Sequence, residues 1–195
     1  MKANYLKTLI AMLCIASTYA CQAQQTIYPL LTDTSNIPNN SYIKDLDNEY
    51  DSFVGTWKTN LNNKIVILKI TKVLQKSLQK LDISYYSDVL IVQYSIQDNN
   101  GNIIENNISS NLNDYKIIST LYSKKAHVVK LYYQGGQCQV GWGGINLKMI
   151  DPTHFKWNYQ PESTVITNKN CSDYPAGGIK INLPYEPSDI IFTKQ

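Results

Sequence analysis

Asp88-Val89-Leu90-Ile91-Val92-Gln93-Tyr94-Ser95-Ile96 is the stretch on which the fold turns. It alternates with a period of two: Leu90, Val92, Tyr94 and Ile96 share one face, and no Gly or Pro interrupts them. That period, together with the β-branched and aromatic content, specifies a strand. Asn99-Asn100-Gly101 follows, a hairpin turn leading into Asn102-Ile103-Ile104-Glu105-Asn106. Upstream, Lys64 to Thr71 places Val66, Leu68 and Ile70 on one face, with Lys69 and Thr71 on the other.

The same period recurs downstream. Tyr115, Ile117 and Leu121 alternate with Lys116, Ile118 and Thr120. After a turn at Lys124 and Lys125, His127, Val129, Leu131 and Tyr133 share a face. Ile145, Leu147 and Met149 form the next set, and Asp151-Pro152 turns the chain into Phe155, Trp157 and Tyr159. The chain closes with Asp189-Ile190-Ile191-Phe192-Thr193-Lys194-Gln195. Short turns between neighbours favour neighbour-to-neighbour pairing. The expectation is an all-β antiparallel meander of about 8–10 strands, closed as a barrel or packed as a sandwich. Two segments break the rhythm. Leu74, Leu78 and Leu81 stand at helical spacing, so residues 73–86 read as a short helix or as a strand extension ending in a flap. Residues 160–188 hold Pro161, Pro175, Pro184 and Pro187 with Gly177 and Gly178, and read as a long loop.

With 195 residues the chain has room for one ordinary domain. The expected division is a signal over 1–23, an irregular leader over 24–50 and a barrel domain over 51–195. Lys2 and Lys7 supply a positive start, Thr8 to Ala20 an apolar run too short to span a bilayer, and Cys21-Gln22-Ala23 a peptidase site. The mature chain then begins at Gln24, in the periplasm or outside the cell. The competing reading is a lipoprotein anchored through Cys21, although Thr18 and Tyr19 fit that motif poorly. Beyond Gln24 no apolar run is long enough for a membrane-spanning segment. Removal of Lys2 and Lys7 takes the formal charge from +3 to +1, and the basic residues are all Lys, which argues against a nucleic-acid partner.

Cysteine usage agrees with export. Cys14 and Cys21 lie in the signal, leaving Cys138 and Cys171 as an even pair for an oxidising compartment. The expected disulfide closes a long loop, worth about 3–4 kcal/mol in the chain-entropy account. The remaining soft ligands, His127 and His154, match no zinc spacing with that pair, so no metal is expected.

Phe53-Val54-Gly55-Thr56-Trp57-Lys58 resembles the first-strand signature of the calycin barrels, the lipocalins and fatty-acid-binding proteins. That resemblance implies that Gly55 permits a tight bend, that Trp57 closes one end of a barrel, and that a late cation stacks over the indole. Lys194 shares parity with Ile190 and Phe192 and is the candidate. The fatty-acid-binding proteins carry an Arg and Tyr pair on late strands and a helix pair after the first strand. This chain has no Arg and only a tight turn at Asn62-Asn63. Fatty-acid binding therefore does not carry over. Over nearly its whole length the layout resembles a family of small exported flavobacterial proteins of unknown function, which implies secretion and supplies no activity.

Candidate chemistry is sparse. Asp45, Asp47, Glu49 and Asp51 alternate, a formal calcium set, but an EF-hand loop needs Gly at Tyr50 and Glu at Thr56. A solvated acidic approach to the first strand is the simpler account. Gly-x-Ser-x-Gly does not occur, and the glycines around Cys138 lack a phosphate-loop Lys. No catalytic residue and no cofactor are assigned. The reading is an exported non-enzymatic protein that binds a small apolar or amphipathic ligand inside the barrel. Inward-facing His127, Tyr133 and Trp157 are then the ligand contacts. The alternative is a secreted or envelope interaction or inhibitor protein whose barrel is filled by its own side chains.

Overall fold

The computed structural model describes residues 25–162, 165–172, 174–175 and 177–195. The expected signal, the Gln24 start and Cys21 lie outside the described residues. The strands are β1 (Ile27–Pro29), β2 (Tyr42–Lys44), β3 (Gly55–Leu61), β4 (Lys64–Lys80), β5 (Ile83–Asp98) and β6 (Ile103–Asn106). There follow β7 (Ile117–Ser123), β8 (Val128–Tyr133), β9 (Gly143–Asp151), β10 (His154–Pro161) and β11 (Ile190–Lys194). Eight of these, β3–β5 and β7–β11, form a closed antiparallel barrel. One closure pairs Lys194 of β11 with Trp57 of β3. The other is a short seam, Ile91 with Ile118 and Val92 with Ile117, between β5 and β7.

Local chemistry explains the pairing. Asn62 and Asn63 both take positive φ, 49° and 60°, the left-handed pair that a two-residue hairpin requires. The inward set is the one set by parity: Val66, Leu68 and Ile70 of β4, Leu90, Val92, Tyr94 and Ile96 of β5, and Phe155, Trp157 and Tyr159 of β10 are all buried.

Residues 73–86 contain no helix. They are the far half of the β4–β5 hairpin, which turns at Leu81 and Asp82. Leu74 and Leu81 are exposed, so their helical spacing marks no common buried face. Cross-strand pairs such as Leu78 with Tyr85 decide the conformation instead. Parity also fails in β7. A bulge between Ser119 and Leu121 shifts the register, so Ile117, Ser119 and Tyr122 are buried and Leu121 turns outward.

The leader over 24–50 carries regular pieces: β1, β2 and a 3-10 turn at Thr34–Asn36. β2 runs parallel to β5, pairing Tyr42 with Tyr86 and Ile43 with Ser87, and β1 runs parallel to β2. At the other end, Cys138 and Cys171 are disulfide-bonded with their Cα atoms 5.7 Å apart, which pins the long loop to the β8–β9 connection. Gly135 in that connection has φ +91°, and a Cβ there would stand 2.4 Å from the Gln139 carbonyl oxygen, so only glycine fits.

Candidate functional site

Trp57 sits where the first and last barrel strands meet. Its indole is fully buried, its Nε1 donates to the Phe53 carbonyl at 2.8 Å, and its ring lies 4.5 Å from that of Phe155. Lys194 Nζ stands 5.2 Å from the indole centroid. The Lys194 stem passes over Gly55, where a Cβ would meet Lys194 Cε at 3.0 Å and where φ is +136°. Of the three residues implied by the calycin-like signature, Lys194 thus contacts both Gly55 and Trp57.

From Trp57 a file of rings runs through the barrel. Phe155 stacks on Phe192 at 5.5 Å, Phe192 meets Trp157 at 5.7 Å, and Trp157 meets Tyr159 at 6.5 Å. Tyr159 then meets Tyr133 at 5.8 Å, and Tyr133 meets Tyr94 at 6.3 Å. The polar ends of these rings find partners, as buried Tyr and Trp must. Trp157 Nε1 donates to the Pro184 carbonyl at 2.9 Å, and the Tyr94 hydroxyl donates to Glu105 at 2.5 Å. The Tyr159 hydroxyl donates to the Gly141 carbonyl. Burial, and then the neighbouring Tyr133 and Glu105, push the Tyr94 hydroxyl well above its ordinary pKa.

Of the three sequence-assigned ligand contacts, Tyr133 and Trp157 therefore belong to the packed file. His127 does not join them. It occupies the exposed turn before β8 with φ +49°, so the alternation that places Val129 and Leu131 inward stops one residue short of it.

The acidic approach is solvated at Asp47 and Asp51, which are exposed, but not at Asp45. Asp45 is buried and accepts from the Glu49 and Tyr50 amides at 2.8 and 3.1 Å. Lys72 reaches both Asp45 and Asp51 at 2.7 Å, while Lys124 pairs with Asp47 at 2.6 Å. Burial works to raise the Asp45 carboxyl, but the hydrogen bonds from Lys72, Glu49 and the two amides outweigh it and hold it below the ordinary carboxylate range. Asp88, within β5 at the start of its fully buried run, is also buried. It accepts from the Tyr42 hydroxyl at 2.5 Å, the Gln75 amide at 2.9 Å and the Asp45 amide at 3.0 Å. It thereby ties the leader and the bulge at Gln75 to the barrel. Tyr50 packs edge-on to Tyr122 at 6.1 Å, and burial pushes its hydroxyl up to about 12. No role was assigned to Lys72, Asp88 or Tyr42 from sequence; the available signal was a carboxylate directly before the apolar run Val89–Val92.

An open space of about 580 Å³ fills the fork where β7 leaves β5 and the leader crosses. Among the described residues no group of three or more His, Cys, Asp or Glu is placed to hold a metal ion, and no helix is long and apolar enough to cross a membrane. No curated protein and no solved structure matches the chain. One family does match, over residues 1–195, and the chain belongs to it: the family of unknown function DUF6705.

Proposed function

We propose that the chain is an exported, non-enzymatic, calycin-like protein whose barrel is a packed scaffold and which works through its outer surface, as a binding or inhibitory partner. The aromatic file from Trp57 to Tyr94 carries this reading. An eight-stranded barrel is just wide enough for side chains to fill it, and here seven large buried rings stand in one continuous chain of contacts. The Cys138–Cys171 disulfide supports export, since such bonds persist in oxidising compartments. The buried carboxylates Asp45 and Asp88 already receive several donors each, which suits structural ties rather than proton transfer.

Tryptophan quenching tests the packed barrel. The chain has three Trp, and Trp142 is only partly buried, so a Trp142→Phe variant reports Trp57 and Trp157 alone. Their emission should be blue-shifted and resistant to the apolar quencher trichloroethanol. Saturable quenching by trichloroethanol in the native state would show a hollow barrel and restore the ligand-carrier reading.

A further inference from the structure

We propose that the loop cluster at the disulfide end of the barrel is a binding site for a small hydroxylated organic anion, of the sugar-acid class, seated outside the packed interior. The site is a space of about 430 Å³, within the roughly 300–1,000 Å³ of ordinary ligand pockets. Separate stretches of chain wall it: Glu105 of β6, Lys116 just before β7, Gly136 and Gln137 in the β8–β9 connection, and the end of the long loop from Gly178 to Asn182.

These walls are tied to one another. The Cys138–Cys171 bond joins the β8–β9 connection to the long loop. Asn182 Nδ2 donates to Glu105 Oε2 at 3.0 Å, which fastens that loop to β6. Beyond it Leu183 is buried, and the Pro184 carbonyl accepts from Trp157 Nε1. The Gln134 amide donates to the Lys116 carbonyl at 2.8 Å and fixes the backbone that carries this lysine. Walls set before binding cost a ligand little affinity in ordering them.

The lining selects the class of occupant. Its charged side chains are Lys116, Lys180 and Glu105. Neither ammonium makes a hydrogen bond or ion pair with a described residue. Glu105 is engaged, by the Tyr94 hydroxyl at 2.5 Å and by the Asn182 amide. Two unpaired cations beside one carboxylate that already holds two donors attract an anion. Glu105 also sets a second requirement. An ionised carboxylate only accepts, and it has lone pairs left after two donors. Tyr133 lines the same space, and its hydroxyl lies 3.1 Å from that of Tyr94. Because the Tyr94 proton goes to Glu105, Tyr133 donates in this contact, and its own oxygen is left to accept. A bare anion would meet these acceptors with nothing to donate. An ammonium donor would face the two lysines. Neutral hydroxyl groups satisfy the acceptors without that repulsion, so the ligand joins hydroxyls to an acidic group.

Isothermal titration of the protein with glucuronate, glucose and acetate tests the site. Glucuronate should bind saturably at one site, at least about tenfold tighter than acetate, which lacks the hydroxyls, or glucose, which lacks the charge. Lys116→Gln and Lys180→Gln should each weaken glucuronate about two- to fivefold, the range of exposed ion pairs, and the double variant about tenfold. Lys130→Gln, on an exposed position of β8 away from the lining, should change nothing. Lys180 is exposed and Lys116 half-buried, so the variants should fold, as matching thermal melts will show. Absence of saturable glucuronate binding overturns the proposal, as does binding that the double variant leaves intact. Acetate binding as tightly as glucuronate overturns the hydroxyl requirement, and glucose doing so overturns the choice of an anion. Each of these failures leaves the packed barrel standing, because that is read separately from Trp57 and Trp157 quenching.

Discussion

Trp57→Ala should be the most damaging single change at the closed end of the barrel. The indole has no exposed surface and packs at 4.5 Å against Phe155, itself fully buried. Truncating a large aromatic in such a core costs about 3–5 kcal/mol, because the rigid surroundings collapse only partly into the space. The Phe53 carbonyl loses its donor as well, a further penalty of about 1 kcal/mol. At about 2–4 °C per kcal/mol for a domain of this size, the melting temperature should fall by about 8–24 °C. Lys194→Ala is the matched control. Its ammonium is 5.2 Å from the same ring but is only partly buried, so the cation–π contribution is about 0.5–1 kcal/mol and the shift about 1–4 °C. Trp57→Phe should fall between the two, since it retains part of the ring packing and loses the hydrogen bond to Phe53. Paired calorimetric melts at one pH and salt concentration measure all three. A Trp57→Ala protein melting within a degree or two of the parent would refute the reasoning. So would a Lys194→Ala loss as large as that of Trp57→Ala, which would make the cation, not the ring, the element that closes the barrel.

Three other outcomes follow from the same structure. Non-reducing peptide mapping should recover the Cys138 and Cys171 peptides linked, and reduction should cost about 3–4 kcal/mol for a loop of this length (separation 33), read as a drop in urea midpoint. Asp45→Asn should destabilise by about 1.5–3 kcal/mol at pH 7, the usual worth of hydrogen bonds to a charged group. Because the folded Asp45 carboxyl is held below its unfolded value, that stability is present above the unfolded pKa and is lost as the pH falls through the folded one. The difference between Asp45→Asn and parent should therefore vanish in acid, and a gap that persists below the carboxylate range would count against the assignment. N-terminal sequencing of the exported protein should begin at Gln24, and an acylated Cys21 start would establish the lipoprotein reading instead.

Alternation made the barrel legible. Wherever one face of a strand is buried and the other wet, the pattern names the inward residues, as in Phe155, Trp157 and Tyr159 or Val129, Leu131 and Tyr133. It fails where a strand ends or slips. His127 continues the numerical parity of β8 but sits in the turn, and the bulge after Ser119 reverses the parity of Leu121. The leader strands escaped notice for another reason. Three residues such as Tyr42, Ile43 and Lys44 carry no readable period, and the carboxylate that anchors them, Asp88, lies 46 residues away from Tyr42. The same limits explain what was and was not visible of function. Parity already directs Trp57, Tyr94, Tyr133, Phe155, Trp157, Tyr159 and Phe192 inward, and a barrel of eight strands has little room once those rings are in it. A packed interior could have been inferred by adding their bulk. The fork beside it could not, because it depends on a one-residue slip in β7 and on a leader that crosses by long-range contacts. In this fold the regular strands use their alternation to build a solid support. The departures from alternation, at the bulge and in the leader, leave an open fork beside it.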